Sequence, residues 1–293
     1  MTRDFRKLIE DRWSLGKFVC VGLDSEFGKI PVSALVGRSD DTNDTLASIF
    51  KFNTDIVNAT HDQVCAFKPN LAFYIAQGPA GIAALRSIIE FSHRVAPGVP
   101  VLLDAKVADI GNTNNGYVEF AFGYLRVDAI TVHPYLGSEA LEPFLAQKEK
   151  GIFVLCRTSN SGAGELQNLP VVTVVSQTTG RKYTSKFYTR IATRVAEAWN
   201  KYGNCGLVVG ATAPEDELAK VRSIVGDMPI LIPGIGAQGG DLEKSIKCGQ
   251  DSRGRGMIIN SSRGIIFASS GPDYAEAARR EVMKLHEAIN ACR

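Results

Sequence analysis

The chain has 293 residues, 45% of them hydrophobic and 22% charged, and its 33 Lys and Arg against 31 Asp and Glu leave a formal charge of only +2. That is ordinary globular composition, and so small a charge without a dense basic block excludes a general nucleic-acid surface. No apolar run approaches the about 20 residues that span a bilayer, so no membrane is expected as a partner.

The first residues, Met1, Thr2, Arg3, Asp4, Phe5, Arg6 and Lys7, lack the apolar core of a secretory signal, and a cytoplasmic protein is expected. Apolar strand-like runs then alternate with helical patterns. The run 18–24 predicts a first strand, and 44–60 a helix with Asn43 or Asp44 as its cap. Further strands are predicted at 65–68, 101–106, 129–133, 151–156, 206–210, 229–233 and 257–260. Helices are predicted near 81–93, 116–125, 138–147, 187–202, 215–225 and 242–247, with a last one over 273–292. In that last helix Ala275, Ala278, Val282, Leu285 and Ile289 recur three and four apart and form one stripe to be buried. Strand–helix repeats with near-continuous apolar strands predict an α/β fold, a parallel sheet under a coat of helices. Eight such units at this length predict a single-domain (β/α)8 TIM barrel over 1–293, with a doubly wound open sheet as the alternative.

One segment, 158–186, breaks the rhythm between the fifth strand and its helix. Val171, Val172, Thr173, Val174 and Val175 precede Thr179 and Gly180, and Lys182, Tyr183 and Thr184 follow, which predicts a β-hairpin with a glycine-containing turn. Long excursions in compact domains are lids, binding loops or surface decoration. A lid is expected, because this one leaves from the strand ends where charged residues gather. The six cysteines, Cys20, Cys65, Cys156, Cys205, Cys248 and Cys292, form no Cys-x-x-Cys pair, and His61, His93, His133 and His286 show no metal-ligand spacing. Buried thiols and no metal site are expected.

Barrel active sites lie at the carboxyl ends of the strands. Asp24 ends the first strand, Lys68 the second, Asp104 and Lys106 the third, and Asp109 begins the loop beyond. Residues two apart in a strand share a face, so Asp104 and Lys106 are expected to point the same way. Charges at such places are costly unless paired. Two lysines among aspartates keep one another charged, which suits a preorganised field better than a lone general base. Ser159 lies past the fifth strand. After the seventh come Gly234 and Gly236, and after the eighth Asn260, Ser261, Ser262, Arg263 and Gly264. Loops after strands seven and eight bind phosphate in this fold, glycines permit close backbone approach, and Arg263 can add a bidentate contact.

These residues resemble orotidine 5′-monophosphate decarboxylase. The likeness runs through Val21, Gly22, Leu23 and Asp24, through Phe67, Lys68, Pro69 and Asn70, and through the run 103–113. It continues at Arg157, Thr158, Ser159 and Asn160, at 233–241, and at 260–265. The versions at 157–160 and 260–264 resemble the longer-chain, type 2 subgroup. The resemblance implies decarboxylation of orotidine 5′-monophosphate to UMP, the last step of de novo pyrimidine synthesis, with no metal or organic cofactor. It implies that Lys106 protonates C6, that Asp104 sits against the substrate carboxylate and that Lys68 holds the array. Asp24, Lys68, Asp109 and Thr113 would contact ribose hydroxyls, and Ser159 would read the pyrimidine edge. Gln238 and Arg263 would hold the phosphate, with the backbones of Gly236 and Gly264. A homodimer is implied in which the segment bearing Asp109, Ile110 and Thr113 enters the neighbour's site. Other readings are a metal-dependent sugar-phosphate decarboxylase or synthase on the same barrel, an aldolase with Lys68 or Lys106 as Schiff-base nucleophile, and a non-catalytic UMP-binding sensor.

Overall fold

The apolar runs form parallel strands in the computed structural model, which describes residues 3–37, 42–174, 182–212, 215–235 and 241–293. They are β1 (Val19–Leu23), β2 (Val64–Pro69), β3 (Leu102–Val107), β4 (Ala129–Val132), β5 (Gly151–Arg157), β6 (Cys205–Val209), β7 (Ile230–Pro233) and β8 (Met257–Ser261). Every residue of β1, β2, β4, β6 and β8 is buried. Neither face of these strands meets water, so they carry no apolar–polar alternation.

The sheet runs in the order β2-β1-β8-β7-β6-β5-β4-β3. Its two edges meet where Phe67 bridges Val101 and Asn70 bridges Asp104, both in parallel sense. Those bridges close the (β/α)8 barrel and rule out the open doubly wound sheet. After each strand in turn comes a helix of the coat: Thr42–Thr60, Gly78–Val95, Gly111–Val118, Gly137–Leu145, Phe187–Arg194, Glu215–Val225, Leu242–Gly249 and Tyr274–Cys292. In the last helix Ala278, Val282 and Ile289 are buried as the stripe requires, while Ala275 and Leu285 are half-buried. Cys20, Cys65, Cys156 and Cys205 are buried in the core, and burial pushes the Cys20 and Cys205 thiols up to about 12.

Three local features differ from the sequence expectation. A helix at Phe5–Ser14 precedes the barrel, capped by Asp4, whose side chain accepts from Lys7 N at 2.8 Å. Its Phe5, Ile9 and Trp13 are four apart and buried, each adding about 2 kcal/mol of burial. Phe5 meets Phe153 edge-on, with ring centroids 5.5 Å apart, and Trp13 Nε1 donates to Met257 O at 2.8 Å. This helix therefore seals the end of the barrel opposite the strand carboxyl ends. The helix after β1 begins at Thr42, so Asn43 and Asp44 lie inside its first turn, where the Asp44 carboxylate complements the helix dipole. The helix after β3 begins at Gly111, five residues before the expected 116, and becomes a π-helix over Glu119–Tyr124. A second π-segment, Val195–Trp199, ends the helix after β5.

The hairpin is present. Pro170–Val174 pairs antiparallel with Lys182–Lys186. Its turn, with Val175, Thr179 and Gly180, lies outside the described residues.

At the entry to β4, Asp128 is wholly buried. Its carboxylate accepts from Arg3 Nε at 2.8 Å and Val101 N at 2.8 Å, and lies 3.1 Å from His93 Nε2. Burial works against its charge, but His93 and Arg3 hold the carboxyl at about 2, below its ordinary 3.8. A folded value below the unfolded one gives stability that is present above the unfolded value and fades as pH falls through the folded one. Asp128→Ala is expected to cost roughly 3 kcal/mol of unfolding free energy at neutral pH. Urea melts of both proteins should show a smaller gap at about pH 3 than at about pH 7; an equal gap would contradict this role for the carboxylate.

Candidate active site

The carboxyl ends of β1, β2 and β3 carry a wall of charge. Lys68 is 3% exposed although it is an ammonium. Its Nζ donates to Asp104 Oδ2 at 3.1 Å and lies 4.0 Å from Asp24 Oδ1. Lys106 Nζ donates to the other oxygen of the same carboxylate, Asp104 Oδ1, at 2.5 Å. Burial would strip the proton from Lys68, but Asp104 and Asp24 raise it well above the ordinary lysine range. Burial likewise opposes charge on Asp104, and the two lysines hold it well below the usual carboxylate range. Lys68 and Asp104 are therefore both held ionised at neutral pH by their neighbours. Asp24 Oδ1 is buried and accepts no hydrogen bond among the described residues, and faces the Lys68 ammonium at 4.0 Å.

Asp104 and Lys106 both face the cavity, as expected, but not by simple strand alternation. Lys106 has φ +52°, a left-handed backbone that a residue with a side chain rarely adopts and that costs about 1–2 kcal/mol. The β3–β4 register shifts between Leu103 and Val107, so the lysine sits in a bulge. The N–H groups of Ala105 and Lys106 both donate to Thr131 Oγ1 on β4.

Opposite the charges, Leu155, Val208 and Leu231 from β5, β6 and β7 form an apolar wall. The cavity between them holds about 620 Å³, ample for a nucleotide-sized ligand. Two glycines, Gly22 in β1 and Gly210 just past β6, let its rim close in. A Cβ at Gly22 would fall 1.8 Å from Ser262 Oγ, and one at Gly210 would fall 2.6 Å from Ser159 Cβ. Gly234, at φ +100°, turns the chain after β7 at the cavity edge. The root of the hairpin excursion is pinned beside it. Arg157 Nε donates to the buried Glu217 at 2.6 Å, and Lys186 Nζ reaches the same carboxylate at 2.8 Å. Gln167 accepts from Thr158 N at 2.9 Å and donates to Thr158 Oγ1 at 2.8 Å.

Asp24, Lys68, Asp104, Lys106, Ser159 and Arg263 thus line one cavity. Arg263 is exposed at the rim and makes no ion pair among the described residues, so its guanidinium is open to an anion. Gly264 follows it in the helical turn Arg263–Ile266 and is exposed, but does not line the cavity. Asp109, Ile110 and Thr113 do not line it either. Asp109 Oδ1 is turned back on Ile110 N at 2.6 Å, and Ile110 is 58% exposed. Gln238 and Gly236 lie outside the described residues. The cavity also takes in Asn70, Gln167 and Asn260, to which no site role is given by the sequence. Asn70 and Asn260 stand inside the motifs at 67–70 and 260–264, where they could have been found; Gln167 has no local signal. Among the described residues no cluster of three or more His, Cys, Asp or Glu could hold a metal. The cavity carboxylates Asp24 and Asp104 are met by ammonium groups instead.

The orotidine 5′-phosphate decarboxylase / HUMPS family matches residues 18–280. The orotidine 5′-phosphate decarboxylase of Azoarcus sp. (strain BH72) is 47% identical over 275 residues, 94% of each chain. Among solved structures, the OMP decarboxylase of Leishmania donovani is 34% identical with a TM-score of 0.77, over 97% of this chain and 99% of that one. The UMP synthase of Leishmania donovani is 37% identical with a TM-score of 0.81; the match takes in 99% of this chain and 57% of that longer one. A full-length barrel with its charges at the strand ends, matched over 18–280, places this chain in the orotidine 5′-phosphate decarboxylase / HUMPS family.

Proposed function

We propose that the chain is a carboxy-lyase that converts orotidine 5′-monophosphate to UMP in pyrimidine biosynthesis. The observation that carries this is the array in which Lys106 and Lys68 grip the two oxygens of one buried carboxylate, Asp104, at the floor of a cavity with an open Arg263 on its rim. Related enzymes that stabilise an enediolate with a divalent ion need an open carboxylate ligand; here the end of β2 carries Lys68 instead.

In the reaction the bond from C6 to the carboxylate breaks and its electron pair stays on C6 as an sp2 carbanion with little resonance help. The Lys106 ammonium, tethered by Asp104, faces that charge as it develops and needs no reorganisation to meet it. Its proton then forms the new C6–H bond, and neutral Lys106 is reprotonated from solvent. Asp104 sits against the departing carboxylate, and Lys68 keeps Asp104 charged and fixed. Asp24 and Lys68 bind ribose hydroxyls. Ser159 reads the pyrimidine edge against the apolar wall. Arg263 holds the phosphate, with Gln238 and the backbones of Gly236 and Gly264. Binding energy from that remote phosphate can be used at the transition state.

The 158–186 excursion acts as the lid, since its root at Thr158, Ser159 and Gln167 already forms the cavity rim. Asp109, Ile110 and Thr113 serve the cavity of a second copy in a homodimer, which accounts for their place outside this one and for the exposed Ile110. The enzyme works in the cytoplasm and needs no cofactor.

The ultraviolet change on loss of orotidine monophosphate, followed with a chelator present, gives the assay. Lys106→Ala is expected to lose at least roughly a thousandfold in kcat, the loss that follows removal of a principal charge stabiliser. Turnover near the wild-type rate would defeat the assignment. Arg263→Ala is expected to lower kcat/KM by about 10- to 100-fold, the range for one charge-assisted contact. The loss should vanish for a substrate lacking the phosphate; an equal loss on that substrate would place Arg263 elsewhere.

A further inference from the structure

We infer that Thr131 is a positioning residue for the decarboxylation, its one hydroxyl setting both the backbone that carries Lys106 and the carboxylate that tethers it. This rests on the reading of the Asp104–Lys106 array as the reacting site.

Leu103 pairs with Ile130, and the next register pair joins Val107 to Val132. Asp104, Ala105 and Lys106 therefore stand against a single β4 residue, Thr131. A regular ladder would give the N–H groups of this stretch backbone carbonyls across the sheet. Here the Thr131 side chain takes that place. Its Oγ1 accepts from Ala105 N at 3.0 Å and from Lys106 N at 3.0 Å, and its own proton goes to Asp104 Oδ1 at 2.9 Å. A hydroxyl has one proton and two lone pairs, so these three bonds exhaust its capacity. Thr131 is 1% exposed and does not line the cavity, so it acts only through its partners.

Two consequences follow for the reaction. The paired N–H groups hold the bulge in which Lys106 takes φ +52°, and the bulge sets where the lysine stem departs from the strand. The same oxygen orients Asp104 Oδ1, the atom that grips Lys106 Nζ at 2.5 Å. Lysine stem and lysine tip are thus referred to one buried atom. β-Branching adds stiffness, since χ1 of threonine is restricted in a strand. Without the hydroxyl the bulge has two unpaired donors and the carboxylate keeps only its two lysine partners. Misplacement of a reacting group by about 1 Å can cost on the order of a hundredfold in rate. Substrate binding through Arg263 does not depend on this atom.

The test compares wild type, Thr131→Val and Thr131→Ser as full chains in the orotidine monophosphate assay, with UMP inhibition measured alongside. Thr131→Val keeps the shape and loses the hydroxyl. Its kcat is expected to fall about 30- to 100-fold, with KM and the UMP inhibition constant within about threefold of wild type. Thr131→Ser restores the hydroxyl, and its kcat is expected within about fivefold of wild type. If the valine protein does not fold, Thr131→Ala replaces it with the same expected loss. A hydroxyl-less variant with kcat within about threefold of wild type overturns the inference. So does a serine variant as slow as the valine one, which would assign the effect to packing of the methyl group, and so does a loss carried in KM alone. A wild-type chain that leaves orotidine monophosphate untouched overturns the reaction itself; an active wild type matched by Thr131→Val removes only this role.

Discussion

The site depends on one buried carboxylate shared between two ammonium groups. Asp104 meets Lys68 at 3.1 Å and Lys106 at 2.5 Å through different oxygens. Taken singly, Lys68 and Asp104 would each be driven toward the neutral form by burial. Together they hold one another charged, with Asp24 as a second anion beside Lys68. Loss of Asp104 would leave the buried Lys68 with only Asp24, 4.0 Å away, to offset its charge. The four therefore act as a unit, and the barrel confines them to the strand ends, where an open cavity tempers the desolvation that a closed core would impose.

The rest of the barrel is arranged around that constraint. β1 to β3 supply the charges, β5 to β7 supply the apolar wall of Leu155, Val208 and Leu231, and the turn after β8 supplies Arg263. A low-dielectric wall facing a fixed ammonium strengthens its field on a developing carbanion. In the proposed reading Arg263 on the rim grips the substrate's phosphate, so that grip is separated from the chemistry. Stability is concentrated at the other end, where Phe5, Ile9 and Trp13 seal the barrel and Asp128 ties the amino-terminal segment to β4. The left-handed backbone of Lys106 puts strain at the site itself.

Much of this is legible in the residues. The eight apolar runs mark the strands because both faces of each are buried, and Asp24, Lys68, Asp104 and Lys106 mark the rim because charges ending such runs have few stabilising reasons to be there. The helix Phe5–Ser14 escapes notice although Phe5, Ile9 and Trp13 have helical spacing, because charged residues dominate between them. Gly111–Val118 is invisible to apolar periodicity for a different reason. Its one buried residue is polar: Asn114 bonds Asp109 N, Asp109 O and Ala140 O through its side chain. The bulge at Lys106 cannot be read locally either, since it exists only through Thr131 on the neighbouring strand. The same holds for Gln167, whose place at the rim comes from its bonds to Thr158.

The most direct measurement is a crystal structure of the chain with UMP bound. The charge-array mechanism requires the Lys106 ammonium within hydrogen-bonding reach of ring carbon six, about 3 Å, with Asp104 still between the two lysines and the phosphate on Arg263. A nucleotide bound with Lys106 turned to bulk solvent, or with its ring away from β3, would contradict it.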